Sequence, residues 1–340
     1  MRKYLSIIAA ALVIASCGGN QRKADDPLAD SGRTQRTENL LSNLKAWGDS
    51  TVYLFGHQDD TIFGIGWDDE QNDSTATQHH SDIKSICNDS PALAAFDITG
   101  IEKSNQQTAE GIALDKIRQE VINTYNENGI VSLSLAMSSD KTVEPLAAFL
   151  NSLETPYGVR VPVLLRLRGK QSKELWQALA EGLEDEDVTN ALLVYAPTVD
   201  SLTTEQKYLE QYPGDDIIDV LGISYYCDAP EGDTTLVANY AQQLDRQLAM
   251  LAAIGKQHGK PIAVAETGYN GIKTEDWWTH TLATVLEKHP ISYVLLWRNE
   301  RPDYFFVPYP GHTSTSDFVR FYNLPATLFR HDINGPYYQQ

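Results

Sequence analysis

Carboxylates, arginines and aromatic residues recur in this sequence where short apolar runs end. One run closes on His57 and is followed by Asp59 and Asp60. The next closes near Asp97, with Glu102 beyond it, and the third leads to Asp140. Arg166, Arg168 and Lys170 cluster at the end of the fourth. Tyr195 closes the fifth and Tyr225-Tyr226 the sixth. Glu266 ends the seventh, and Trp297, Arg298 and Asn299 finish the eighth. Tryptophan and tyrosine stack on the apolar faces of sugar rings, while carboxylates and amides take the hydroxyls. Gathered in one place, this residue set would handle carbohydrate.

What must gather them is a set of strands. The apolar, β-branched or aromatic runs are 52–57, 92–98, 130–135, 161–167, 191–196, 220–226, 261–267 and 291–297. Most begin 30–40 residues after the one before, the room a strand–helix unit needs. Helix-period segments lie between them. In 112–126, Ile112, Leu114, Ile117, Val121 and Tyr125 fall near one face; 175–183 and 240–258 behave likewise. The strands are near-continuous apolar runs, as parallel strands buried on both faces require. Eight such units predict an α/β fold, a single (β/α)8 TIM barrel over 38–340. An open doubly wound sheet is the other arrangement, but its Gly-rich first turn is missing, and Gly64-Ile65-Gly66 reads as a turn. Barrels of this kind carry their chemistry at the C-terminal strand ends, where the residues above fall.

Composition narrows the ligand. The chain has 340 residues, 42% of them apolar and 9% aromatic, with 27 basic against 46 acidic residues and a net charge of −19. That composition suits a folded domain, and its charge repels nucleic acid and anionic lipid. After the first twenty residues no apolar stretch is long enough to span a bilayer. Arg2-Lys3 precede a short apolar run that ends in Ile14-Ala15-Ser16-Cys17, which resembles a bacterial lipobox. The expectation is a signal peptide over 1–16 and a lipidated Cys17. A flexible polar tether to residue 37 follows, with the protein exported and held at the outer membrane or cell surface by its lipid. Cys87 and Cys227 fall at opposite ends of the predicted barrel, too far apart to pair. Neither has metal-ligand spacing, and His79-His80 has no third ligand nearby, so no metal and no cofactor is expected.

Several segments together resemble glycoside hydrolase family 26, the β-mannanases. They are Phe55-Gly56-His57-Gln58-Asp59-Asp60, Tyr212-Pro213-Gly214-Asp215-Asp216, Asp219-Val220-Leu221-Gly222, Ala265-Glu266-Thr267-Gly268, Leu296-Trp297-Arg298-Asn299 and Val307-Pro308-Tyr309-Pro310-Gly311-His312. The likeness runs in order from about residue 40 to 332. It implies a retaining hydrolase, with a nucleophile at Glu266 and a second glutamate after the fourth strand as acid/base. Such chemistry needs two carboxyl groups about 5–5.5 Å apart. His57, Arg166, Tyr226, Trp297 and Asn299 are then the expected sugar-binding residues. Trp277-Trp278 is either core or a sugar platform.

The match breaks at the acid. The family pattern is Arg-Pro-x-His-Glu, whereas this chain reads Arg166-Leu167-Arg168-Gly169-Lys170. Lysine occupies the acid/base position, and the aromatic loop that follows in the family is missing. Glu174 reads as a first-turn helix residue and not as a substitute acid. Strand 3 ends in Leu135-Ala136-Met137-Ser138-Ser139, without the family's Trp-His and following Asn. The resemblance therefore implies an exported lipoprotein that engages β-mannan or a related β-linked polysaccharide or oligosaccharide, with hydrolysis impaired. One alternative is an active endo-β-mannanase with a nonstandard acid, for which Asp97, Glu102 and Asp140 are candidates. The other is a non-enzymatic structural or assembly lipoprotein.

Overall fold

A computed structural model describes residues 27–67, 80–103, 105–137, 139–169, 172–200 and 202–339. Eight parallel strands form its centre: β1 (Tyr53–Gln58), β2 (Leu93–Asp97), β3 (Ile130–Ala136), β4 (Val163–Arg168), β5 (Ala191–Tyr195), β6 (Val220–Cys227), β7 (Ile262–Tyr269) and β8 (Ile291–Leu296). Each pairs with its sequence neighbour, and β1 pairs with both β2 and β8, which closes the barrel. Closure leaves the barrel strands without a free edge. A two-residue strand, β9 (Thr327–Leu328), adds to the start of β1. The eight expected runs are these eight strands, displaced by no more than two residues at either end.

Helices fill the connections: α1 (Gln35–Asp49), α2 (Asp82–Cys87), α3 (Leu114–Asn126), α4 (Val143–Ser152), α5 (Lys173–Asp185), α6 (Glu205–Leu209), α7 (Thr234–His258), α8 (Thr284–Leu286) and α9 (Thr315–Tyr322). Alternation along the strands builds two layers of core. Leu54, Leu93, Leu164, Leu192, Ala263 and Leu295 fill the barrel and meet Leu40, Leu44 and Trp47 of α1. Ser292, at the start of β8, donates to the carbonyl of Leu44 at 2.7 Å, so α1 lies across the N-terminal mouth. The other strand faces pack outward against the helix ring. Trp277 and Trp278 belong to that outer layer and are fully buried in π-helical turns over Trp277–Ala283. Of the two readings of this pair, core packing holds. Cys87 and Cys227 are both free.

The polar segment before α1 differs from expectation. A tether was expected to residue 37, yet the chain is part of the fold from Pro27 onward. Arg33 makes a two-pronged pair with Asp219 at 2.8 and 2.9 Å, Leu28 bridges to Thr34, and the Thr34 amide reaches the Thr189 carbonyl. The reason is one buried carboxylate. Asp219 precedes β6 and also accepts the Leu193 amide at 2.7 Å, and Arg33 supplies its counter-charge. Cys17 and the rest of the expected signal and tether, 1–26, lie outside the described residues.

Candidate active site

The strand ends converge as a barrel requires. His57 in β1 stands in register with Leu296 of β8, Arg166 in β4 with Val194 of β5, and Ser224 in β6 with Glu266 of β7. All strands are parallel, so His57, Arg166, Tyr226, Glu266 and Trp297 share one end.

Glu266 sits at an irregularity. Val264 pairs with Ile223 and Glu266 with the next residue, Ser224, so Ala265 is one residue too many. The β7–β8 register slips over the same segment. A bulge of this kind re-aims a side chain. Here the Glu266 carboxylate, 8% exposed, meets three donors. Arg166 ion-pairs with Oε2, the Tyr226 hydroxyl donates to Oε1 at 2.8 Å, and Arg168 Nε lies 3.6 Å from Oε2. Burial by itself would raise this carboxyl. The Arg166 charge, then the Arg168 charge and the hydrogen bonds from Arg166 and Tyr226, outweigh burial and hold it below the usual carboxylate range. Burial and the neighbouring Glu266 charge push the Tyr226 phenol up, so it stays a donor.

Arg168 was not among the expected binding residues, and it proves central. Its guanidinium ion-pairs with Asp97 at the end of β2, approaches Glu266 and lies over the Trp297 ring at 4.4 Å. One cation thus links two carboxylates and covers an aromatic face. The arginine stood in the sequence two residues beyond Arg166, on the same face of the strand, and that spacing was the available signal. Its partners came from β2, β7 and the end of β8, which no local pattern reveals.

A second ionic group lies beside the first. The residue after β1, Asp59, adopts a left-handed conformation (φ 53°), which aspartate tolerates better than most side chains. Its carboxylate accepts the Asp97 amide at 3.2 Å and pairs with Arg298 at 3.3 Å. Arg298 also reaches Glu110 at 3.1 Å and Glu300 at 3.4 Å. Burial first, opposed by Arg298 and reinforced by Asp97, pushes the Asp59 carboxyl up to about 6.

Two expected sugar contacts have other neighbours. His57 is only 1% exposed; Nδ1 lies 2.7 Å from Asp60, and Nε2 is buried without a partner. It lies beneath the rim and not on it. Asn299 is fully buried and fully employed. Its amide nitrogen donates to Asp82 at 2.7 Å and to the Val307 carbonyl at 3.0 Å, and its oxygen accepts the Phe306 and Val307 amides. It pins the loop after β8 to the barrel and has nothing left to offer a sugar, so the expectation for Asn299 is corrected. Trp297 is 6% exposed, with its indole nitrogen 3.1 Å from the Tyr304 hydroxyl and the Arg168 guanidinium over its ring.

The acid/base position, Lys170, lies outside the described residues. Glu174 is fully exposed in the first turn of α5, behind the Ser172 cap, and hydrogen bonds there lower its carboxyl. Of the alternative acids, Asp97 is committed to Arg168, while Glu102 and Asp140 are exposed. An open groove of about 940 Å³ runs over the ends of β3 and β4, past Met137, Asp140, Arg168 and Leu175. A second cavity of about 550 Å³ lies at the opposite end, against Lys45, Lys256 and Pro290, remote from Glu266 and the arginines around it. No group of three or more histidine, cysteine, aspartate or glutamate side chains among the described residues is placed to hold a metal.

A closed eight-stranded parallel barrel with a cation-held glutamate on its seventh strand is an architecture that hosts many chemistries. Comparison with known proteins names the branch. The model of glycosyl hydrolase family 26 matches residues 158–269, which include Arg166, Arg168, Tyr226 and Glu266. A GH26 β-mannanase from Bacteroides ovatus, BoMan26A, is 34% identical, covering 90% of this chain and 98% of that one with a TM-score of 0.82. The chain belongs to glycoside hydrolase family 26. The catalytic domain of a GH26 endo-β-1,4-mannanase from Bacillus sp. JAMB-750 shares the fold at 21% identity, 94% and 98% coverage and a TM-score of 0.77. A mannan endo-1,4-β-mannosidase of Bifidobacterium adolescentis is 22% identical over 91% of the chain. The chain spans only 36% of the length of that relative.

Proposed function

We propose that this protein is an exported lipoprotein that binds β-mannan or a related β-linked glycan and hydrolyses it poorly. The observation that carries this reading is the state of Glu266. Its carboxylate is engaged by Arg166 and Tyr226, with Arg168 alongside, and Arg168 in turn is bound to Asp97. A nucleophile so neutralised is a weak one. The retaining mechanism also needs a proton donor for the leaving oxygen, worth on the order of 10²–10⁴ in rate. Lysine stands where the family has its acid, and its ammonium is a weak donor near neutral pH. Support for the glycan comes from the family and its mannanase relatives, and from Trp297 and Tyr226 beside the carboxylate.

The test is hydrolysis measured on two leaving groups. Mannan should be turned over little. Any residual activity should appear on activated aryl β-mannosides, which depart without a proton, and should vanish in Glu266→Ala. Mannan affinity gels should still retard the protein. Turnover of mannan at rates of about 1–10³ s⁻¹ by a clean preparation would overturn the impaired reading, and absence of retardation would overturn the glycan reading.

A further inference from the structure

The aromatic face nearest Glu266 is already covered, and what covers it is a side chain of the protein itself. Arg168 ends β4, and its guanidinium lies over the Trp297 ring at 4.4 Å. At that separation two flat groups are in contact, and no third ring fits between them. Arg298 lies 5.5 Å from the same ring, and the Tyr304 hydroxyl holds the indole nitrogen. Trp297 is buried as a result and has no surface on which a ligand could stack.

Arg168 is also the partition between this buried pair and the open groove. The groove over the ends of β3 and β4 is lined by Arg168 but by neither Glu266 nor Trp297. Toward the barrel, Arg168 ion-pairs with Asp97, and its Nε lies 3.6 Å from Glu266. Toward the groove it is open. Its side chain is 30% exposed, against 3% for Arg166 two residues earlier, so only the second arginine is free to move. Gly169 follows with φ 76°, and a Cβ built there would meet nothing within 4 Å, so the backbone beyond Arg168 runs through open space. Asp140 and Glu174 line the same groove and are exposed, which gives a released guanidinium other carboxylates to face.

We propose that Arg168 is an autoinhibitory latch, which a glycan unit must displace into the groove before it reaches Trp297 and Glu266. The cation over the indole and the ion pair with Asp97 hold the latch shut. A ligand binds only the fraction of molecules in which it is open, and apparent affinity falls by that fraction. The inference rests on the glycan-binding reading above and adds its regulation. A neutralised Glu266 slows hydrolysis, whereas the latch weakens binding itself.

The experiment uses the full mature chain as wild type, Arg168→Ala and Arg168→Ala/Asp97→Asn. The double variant removes the charge that the single one leaves unpaired, which protects the fold. Its asparagine oxygen can still accept the Thr99 amide, as Asp97 Oδ1 does at 2.7 Å. The first readout is acrylamide quenching of tryptophan fluorescence, which needs no glycan. Quenching should rise in both variants, and the rise should be absent once Trp297→Phe is added. The second is calorimetric titration with linear β-1,4-mannopentaose, which both variants should bind about tenfold or more tightly than wild type. Loss of structure lowers affinity, so a gain reports the latch and not the fold. Unchanged quenching, or affinity no higher than that of wild type, overturns the latch, while binding by wild type keeps the glycan reading. If no form binds mannopentaose although the indole has become accessible, the glycan reading fails and this inference fails with it.

Discussion

Asn299 and Asp59 show how burial decides what a polar residue does. Asn299 looked like a rim contact but spends both ends of its amide on the loop after β8. Asn299→Ala would leave the Phe306 and Val307 amides and the Val307 carbonyl unsatisfied in the interior, at a cost on the order of 3 kcal/mol. Urea unfolding should report that loss, while glycan affinity per folded molecule should not change. A variant of wild-type stability that loses affinity would restore Asn299 to the sugar contacts. Asp59 makes a pH prediction. Its carboxyl rises to about 6 in the folded protein, above its value in the unfolded chain. Between those two values the folded state holds a proton that the unfolded state has released. The stability this contributes is complete below about pH 4 and is lost as pH rises through 6, an effect on the order of 3 kcal/mol. Asp59→Asn carries no titrating group, so its stability should fall less than that of wild type between about pH 4 and 6.5. Parallel pH profiles from chemical unfolding would refute the assignment. Glu266 has the opposite sign. Its depressed carboxyl contributes stability above its unfolded pKa and loses it as pH falls further.

At the scale of elements, the bulge in β7 and the segment before α1 carry the argument. Without the register slip at Ala265, Glu266 would follow the regular alternation of its strand. The segment from 27 to 34 is tied down by Arg33, whose side chain is 24% exposed against 7% for Asp219. Burial raises the Asp219 carboxyl, and Arg33 opposes that rise. Arg33→Ala should therefore cost about 1–2 kcal/mol, below the range for a fully buried pair because Arg33 is partly solvated. Asp219→Asn added to Arg33→Ala should cost less than the two singles together, since it removes the charge the first change leaves unpaired. Strict additivity in urea unfolding would show that the pair does not hold this segment.

For the whole molecule the question is attachment. The charge of −19 makes direct adsorption to anionic lipid unfavourable, and no helix among the described residues is long and apolar enough to cross a membrane. The attachment proposed above rests on the lipid expected on Cys17. Cys17→Ser should leave the signal uncleaved or release the protein from the membrane fraction. A processed Cys17→Ser protein still retained on membranes would overturn the lipoprotein reading.

Sequence alone determined the barrel and the end of it that matters. Strand runs, their spacing and the helix period are local or nearly local properties, and eight buried parallel strands have few ways to close. It also placed Glu266, Arg166, Tyr226 and Trp297 together, because the end of a strand can be read from its own residues. Tertiary structure decided the rest, which depends on partners distant in sequence. Asn299 was assigned to the sugar because nothing nearby showed that Asp82 and the 306–307 backbone would consume its amide. The segment 27–37 read as tether because it has little to bury, yet an ion pair to Asp219 and bonds to the Thr189 carbonyl hold it. Arg168 passed as one cation among several in a degenerate motif. Only closure of the barrel set it between Asp97, Glu266 and Trp297, where its charge and its flat face both find partners.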